Sequence, residues 1–194
     1  MLLSDFVGVI IMKIKNRVVE DLVFKSYLEE IMSKKKYQKM NRYIQHGNTS
    51  CLLHSIAVAY FSYRLCKFLK LKVHEKELIR GALLHDYFLY DWHAKYKPTK
   101  DVGLHGRIHP AIALFNARRD YNVNRIEADI IAHHMFPLTF TPPKYKESVI
   151  VCLVDKFCSI YEVFSRRAYI EIAMKLADDK KQRRVISKRI NLYN

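Results

Sequence analysis

The chain has 194 residues, 50 % of them apolar and 27 % charged, a length and composition that predict one globular domain with a sizeable core. Its formal charge of +15, from 34 lysines and arginines against 19 acidic residues, favours anionic partners such as nucleotides, nucleic acid or other phosphates. Five glycines and five prolines are too few for a meander of tight turns, and the long segments between them have helical periodicity. The predicted fold class is therefore all-α.

The cysteines and the N-terminal segment indicate the compartment. All four cysteines lie in apolar helical stretches and none forms a CxxC pair, so we expect reduced core residues in a cytoplasmic protein. The apolar run at residues 6–12 is far shorter than the roughly 20 residues of a spanning helix, and no signal-peptide pattern is present. We therefore predict no membrane association. Residues 1–12 are open to interpretation as an N-terminal extension, and residues 13–194 as one domain.

The first part of the chain predicts two packing helices. Apolar residues at helical spacing predict a helix over residues 16–40, and its basic end at residues 34–42 is either a solvated helix end or a phosphate or nucleic-acid patch. Residues 46–50 predict a turn, after which Thr49 or Ser50 is expected to cap a helix over residues 50–71. That helix carries His54 in its second turn. His46, just before it, either approaches the same site or decorates the turn.

The next helix, predicted over residues 74–86, ends with His85 and Asp86 at the edge of an apolar run. Two ionisable side chains in such a setting are costly unless they are paired, and a metal ion is a common partner. Because adjacent side chains on a helix point about 100° apart, His85 and Asp86 either reach one metal from different angles or reach two metals bridged by Asp86. The aromatic segment at residues 87–93 predicts either core packing or a rim that stacks on a base or sugar.

The second half of the chain contributes further candidate ligands. A loop is predicted at residues 94–107, and Pro110 is expected in the first turn of a third core helix, which places His109 at its N-terminus. A capping box at residues 124–127 predicts a fourth helix that ends at His133 and His134.

A fifth helix is predicted at residues 147–164, nearly all apolar and therefore expected to be central. Asp155 lies in its middle, where an unpaired carboxylate is disfavoured, so metal ligation is predicted. A last helix from about Arg167 has a basic end.

The ordered set His, His-Asp, His-Pro, His-His, Asp resembles the HD-domain superfamily of metal-dependent phosphohydrolases and phosphodiesterases, over about residues 45–162. Four residues match the signature that names the superfamily: His54, His85, Asp86 and Asp155. His109 and the pair His133-His134 match the additional ligands of the branch that binds two or more metals, which includes the HD-GYP cyclic dinucleotide phosphodiesterases.

The resemblance implies two divalent transition metals, drawn from Mn, Fe, Co, Ni and Zn, which suit imidazole and carboxylate ligands. One metal would be held by His54, His85, Asp86 and Asp155. The other would be held by Asp86, His109, His133 and His134. A hydroxide between the ions would attack a phosphate ester, with a nucleotide as the expected substrate. Asp86 would then be central to catalysis, and candidates for a catalytic cation are Lys156, Arg107 and Lys144.

The sequence departs from the HD-GYP pattern in its motifs. No Gly-Tyr-Pro follows His133-His134, and Tyr87-Phe88-Leu89 replaces the usual Ile-Gly-Lys after Asp86. The resemblance therefore implies a phosphoric-ester hydrolase without specifying cyclic dinucleotides as substrates. Two alternatives remain open: a di-iron HD-domain oxygenase, and a nucleic-acid or nucleotide-binding module with a structural metal site.

Overall fold

The computed structural model describes residues 21–93, 105–165, 169–177 and 179–188. Within these ranges the chain is mostly helical, as the sequence predicts, and a short two-stranded sheet is the only β-structure. None of the helices in these ranges is long and apolar enough to cross a membrane. In chain order the elements are α1 (Leu22–Met32), α2 (Lys35–Gln38), a 3-10 turn (Lys39–Arg42), β1 (Ile44–His46), β2 (Thr49–Ser50), α3 (Cys51–Phe68), α4 (Glu75–Leu84), α5 (His105–Asp120), α6 (Arg125–His133), α7 (Lys146–Phe164), α8 (Ile170–Leu176) and α9 (Lys180–Ser187).

Helix α3 occupies the centre of the bundle. Every residue from Cys51 to Tyr63 is buried, and α3 packs against α1, α4, α7 and α8. The expectation that the apolar helix α7 is central is wrong, because α7 keeps one apolar face exposed. Composition alone does not separate a helix buried all round from one with an additional apolar face at the surface.

The first predicted helix, over residues 16–40, is shorter than expected. Residues 16–20 lie outside the described ranges; α1 ends at Met32, and Lys34 is extended with φ −82° and ψ 123°. The break turns Tyr37 into the core, where its hydroxyl donates to the Leu83 carbonyl at 2.7 Å. A buried hydrogen bond and an aromatic ring in the core are thus gained at the cost of one break between α1 and the helical turns that follow it.

The basic run that follows α1 is tied to the end of α5. The Lys36 ammonium lies 2.7 Å from Asp120 Oδ1, and Lys34 donates to the Asp120 backbone carbonyl. Arg119 forms a second ion pair with the same carboxylate at 2.6 Å. Part of the positive charge is therefore neutralised within the protein.

The predicted turn at residues 46–50 is the tip of a β-hairpin. Gly47 adopts φ +53°, and a Cβ at this position would lie 2.7 Å from the backbone oxygen of Glu162. The hairpin is thus seated directly on the C-terminal part of α7. The serine cap is confirmed, since Ser50 Oγ accepts from Leu53 N at 3.3 Å.

The third core helix begins earlier than its proline suggests. Helix α5 starts at His105, so Pro110 lies inside the helix and Arg107 is in its first turn rather than in a loop. Proline removes one backbone donor, but the Nδ1–H of His109 donates to the His105 carbonyl at 2.9 Å and ties this turn together.

The capping box at the start of α6 is confirmed. Asn124 Oδ1 accepts from Glu127 N at 3.0 Å, and Glu127 Oε2 accepts from Asn124 N at 2.9 Å. Glu127 Oε1 also accepts a hydrogen bond from Arg80 Nε at 2.6 Å, which fixes α6 against α4.

The C-terminal part contains two helices where one was predicted. Ala177, between α8 and α9, is extended.

Candidate metal centre

Five helices bring candidate ligands to one buried place. The contributors are His54 in α3, His85 and Asp86 directly after α4, His109 in α5, His134 directly after α6, and Asp155 in α7. All six side chains are buried. Their helices converge because the apolar face of each packs on the common core, so polar residues at the margins of those faces meet.

One half of the centre is formed by His54, His85 and Asp155, whose ligand atoms all lie within 4.8 Å of one another. Asp155 Oδ1 is 2.9 Å from His54 Nε2 and 3.6 Å from His85 Nε2. The two Nε2 atoms are 3.3 Å apart. This convergence of two imidazoles and a carboxylate fits a transition metal.

The other half is formed around His109 and His134, whose Nε2 atoms are 2.8 Å apart. His85, Asp86 and His134 also converge closely enough to hold an ion. Asp86 Oδ1 lies 3.1 Å from His109 Nε2 and 3.5 Å from His134 Nε2.

Asp86 joins the two halves. Its Oδ2 atom lies 3.4 Å from His85 Nε2 and 3.6 Å from His54 Nε2, and it accepts a hydrogen bond from Gln45 Nε2 at 2.6 Å. Its Oδ1 atom faces the other half and is buried without a hydrogen-bond partner. An unsatisfied buried carboxylate oxygen is costly, and a cation held between Oδ1 and the nearby imidazoles removes that cost. The residues present therefore fit a metal.

The imidazoles are oriented by hydrogen bonds from their outer nitrogens. Nδ1 of His85, His109 and His134 lies 2.7–2.9 Å from a backbone carbonyl one helical turn earlier. Because a carbonyl only accepts, each Nδ1 carries the proton and each Nε2 presents a lone pair to the centre. This is the tautomer that binds a metal through Nε2.

His54 is oriented differently, by a carboxylate that the sequence analysis did not select. Glu162 is 1 % exposed, and its Oε1 accepts from His54 Nδ1 at 2.8 Å. Its Oε2 is buried without a partner. A signal was available, because Glu162 follows Asp155 by seven residues and so lies on the same face of α7.

Burial and charge act in opposite directions on these groups. Burial disfavours the charged form of His54, but Glu162 and Asp155 outweigh it and raise the pKa of this imidazole well above its ordinary value. Burial also opposes ionisation of the two aspartates, but the neighbouring imidazoles lower the pKa of Asp155 and of Asp86. The pKa of His134 is lowered, chiefly by burial. His54 and Asp155 thus favour each other's charged forms.

His133 is placed apart from the other six candidate ligands. Its Nδ1 lies 2.7 Å from Asp129 Oδ1, and Asp129 Oδ2 also accepts from the backbone N–H of Lys144 at 2.9 Å. Among the residues that the structure describes, neither group of side chains close enough to hold an ion includes His133. Its assignment as a ligand stays a prediction.

The three candidate catalytic cations lie in different parts of the fold. Lys156 donates to the His134 carbonyl at 3.2 Å and to the Cys152 carbonyl at 3.1 Å, so its ammonium fastens α7 to the end of α6. The Arg107 guanidinium lies over the Phe140 ring at 5.8 Å. The Lys144 side chain is exposed. A catalytic role for any of them stays a prediction.

An aromatic stack runs outward from the centre. The His105 ring stacks on His109 with centroids 4.5 Å apart, and the Trp92 ring stacks on His105 at 4.6 Å and 1°. The Tyr90 hydroxyl lies 2.8 Å from His105 Nδ1. Burial and the nearby His109 lower the pKa of His105 to about 3, so this ring is neutral at physiological pH. His105 was not selected from the sequence as a site residue.

His46 approaches the centre from the hairpin. Its ring meets the His54 ring edge-on, with centroids 5.8 Å apart. Burial, with a contribution from His54, lowers its pKa to about 4. This placement supports the interpretation that His46 approaches the site rather than decorating the turn.

Comparison with known proteins identifies the family. The family model described as "HD domain" matches residues 52–160, more than half of the chain, and this range includes all seven candidate ligands. Comparisons with curated proteins and with solved structures returned no match. The helical bundle, the buried histidines and aspartates and the matched range agree with one another, and the chain belongs to the HD domain family.

Proposed function

We propose that this protein is a metal-dependent phosphoric-ester hydrolase that binds two divalent transition metals and acts on a nucleotide or a related phosphate ester. The observation that carries the proposal is Asp86, whose two oxygens face two different sets of imidazoles in one buried centre. Members of the HD domain family are mostly metal-dependent phosphohydrolases. The formal charge of +15 suits an anionic substrate.

Metals bound here would supply an activated water and neutralise charge on the phosphoryl group. The chain's own part is to hold the ligands in place before the substrate arrives. The backbone carbonyls fix the tautomers of His85, His109 and His134, while Glu162 fixes His54. Burial keeps bulk water from the carboxylates, which strengthens every electrostatic contact in the centre.

The stack of Trp92 on His105 supports a nucleotide as the substrate class. These rings continue outward from His109 to Trp92 and then to His93, whose ring centroid lies 3.7 Å from that of Trp92. A base that extended the stack at its outer end would gain about 1–3 kcal/mol. Because the His105 ring is neutral, its charge neither repels the metal-binding histidines nor attracts an anionic phosphate. We therefore assign the stack to the base or sugar and the metals to the phosphate.

The test combines metal analysis with hydrolysis assays on the full chain. We expect about two transition metals per chain and cleavage of at least one ester in a panel of nucleotide mono- and diesters. Asp86→Ala should lose both metals and the activity together. Asp120→Ala removes a carboxylate that pairs with Lys36 and Arg119 outside the centre. This control variant should keep its two metals and its activity.

The outcomes separate the alternatives. Two metals retained by Asp86→Ala would contradict the bridging position of this carboxylate. No cleavage of any ester by the metal-loaded protein would contradict the hydrolase. Oxygen consumption by the iron-loaded protein would favour the di-iron oxygenase instead. Salt-sensitive nucleic-acid binding that survives Asp86→Ala would favour the binding module.

A further inference from the structure

Helix α7 has an exposed apolar face on the side away from the metal centre, which we name the α7 outer face. It consists of Val149, Leu153, Phe157, Ile160, Val163 and Phe164. Their exposure ranges from 41 % for Phe157 to 81 % for Phe164. These are all of the exposed residues of α7 from Val149 onward, so the face carries no charge.

The size of this face is at the upper end of the range for apolar patches on monomeric proteins. Weighted by exposure, the six side chains leave about 600 Å² of apolar surface uncovered, taking large side chains at roughly 150–250 Å² each. The largest apolar patch on a typical monomer is about 300–600 Å². In a chain that is 27 % charged, an uncharged helix face of this size indicates a binding surface.

The nearby lysine does not break the face. Lys156 precedes Phe157 and would otherwise place a charge in its middle. Its ammonium is turned towards the end of α6, where it donates to the His134 and Cys152 carbonyls. The centre of the face is therefore left to Phe157.

The spacing of the face points to another helix as the occupant. Five of the six exposed residues recur every three or four positions from Val149 to Phe164, over a length of about 23 Å at 1.5 Å per residue. Ridges with this spacing pack into the grooves of a second helix. The face is also nearly self-complementary: when it is placed antiparallel to its own copy, Val149 meets Phe164 and Leu153 meets Ile160.

We propose that two copies of this chain pair antiparallel through their α7 outer faces, with a two-fold axis at Phe157. Each end then places a small valine against a large phenylalanine, and the middle places Phe157 beside its own copy. Two such faces bury about 1,200 Å², which reaches the lower limit of roughly 1,200–2,000 Å² for specific protein interfaces. An isologous pair of this kind closes on itself and needs no further partner.

The pairing is tested by sedimentation velocity and light scattering on the full chain at tens of micromolar. We expect a dimer for the wild type and a monomer for Leu153→Glu and for Ile160→Glu, because each change places two buried charges at the interface. Phe68→Glu is the matched control: Phe68 is 82 % exposed at the end of α3, and its variant should stay dimeric. Far-UV circular dichroism establishes that each variant is folded.

Either of two results would overturn the pairing. One is a monomeric wild type at these concentrations. The other is a folded Leu153→Glu variant and a folded Ile160→Glu variant that both remain dimeric.

The register is tested by cysteine cross-linking. The four native cysteines are buried, so the wild type serves as the unlinked control. Phe157→Cys should form a disulfide-linked dimer under mild oxidation, while Val149→Cys should link only after mixing with Phe164→Cys. Linkage of Val149→Cys to itself would overturn the antiparallel arrangement, because only a parallel pair brings the two copies of residue 149 together.

Discussion

Glu162 provides the sharpest test of how the centre is built. Replacing it by glutamine preserves the shape of the side chain and keeps an oxygen that accepts from His54 Nδ1, but removes the negative charge. Hydrogen bonds to charged groups contribute about 1.5–3 kcal/mol, so weakening this buried one at 2.8 Å should cost about ten-fold or more in metal affinity. Glu162→Ala, which removes the acceptor entirely, should cost about 100-fold. The measurement is a competition titration of Zn²⁺ or Mn²⁺ against a chelator of known affinity.

A buried glutamate elsewhere on the same helix supplies the control. Glu147 is also 1 % exposed, but it accepts from the backbone N–H of His74 at 2.8 Å and belongs to the other end of α7. Glu147→Gln should lower the melting temperature and leave the metal affinity unchanged. If Glu162→Gln binds metal as tightly as the wild type, the carboxylate does not orient His54 in the way argued. If Glu147→Gln loses affinity equally, the loss reflects general destabilisation of α7.

Three further predictions concern the ligands and the hairpin. His134→Ala should reduce the metal content from about two per chain to about one, whereas His133→Ala should leave it unchanged. Elemental analysis of both variants decides whether His133 is a ligand. An equal loss of metal in His133→Ala would show that His133 is a metal ligand. The raised pKa of His54 stabilises the metal-free fold fully below the ordinary histidine value of about 6.5, and this contribution is lost as pH rises through the higher folded value. Thermal unfolding of the chelated protein should therefore show falling stability as pH rises above about 6.5. The apparent metal affinity should rise at the same time, because fewer protons compete for His54. A chelated protein that gains stability as pH rises would contradict this prediction. Gly47→Ala should lower the free energy of unfolding, measured by urea titration, by about 1–3 kcal/mol, because the backbone is left-handed and the new Cβ meets the α7 backbone. Gly106→Ala is the control: its new Cβ meets the ends of flexible side chains, chiefly Leu138, so it should lower the free energy of unfolding by less.

The sequence predicts much of the centre because metal-binding residue types are scarce at the margins of apolar helices. His85, Asp86 and Asp155 stand out there, and their burial agrees with that prediction. Glu162 does not stand out, because a single glutamate near a helix end is typical of a solvated position. Its position seven residues after Asp155 indicates a shared helix face, and its distance to His54, far away in the sequence, then reveals its role.

Other differences have equally local causes. Pro110 indicates a helix start, but the helix begins at His105, and a side-chain hydrogen bond from His109 to the His105 carbonyl reinforces the added turn. The apolar composition of α7 predicts a central helix, because hydrophobicity indicates that a surface avoids water without indicating what covers it. The burial of α3, in contrast, follows from an apolar composition that extends around the whole helix.

The separation of the ligands along the chain has a further consequence. His54 and Asp155 are 101 residues apart in sequence, yet they would share one ion. A metal in this position holds the two ends of that loop together in the folded chain, where loop closure is costlier the longer the loop. Because the unfolded chain has no preformed site, the free energy of metal binding adds to the stability of the fold. Metal supply would then govern the persistence of the protein as well as its chemistry: chelation should expose the chain to proteases, and reloading should protect it before any substrate is present.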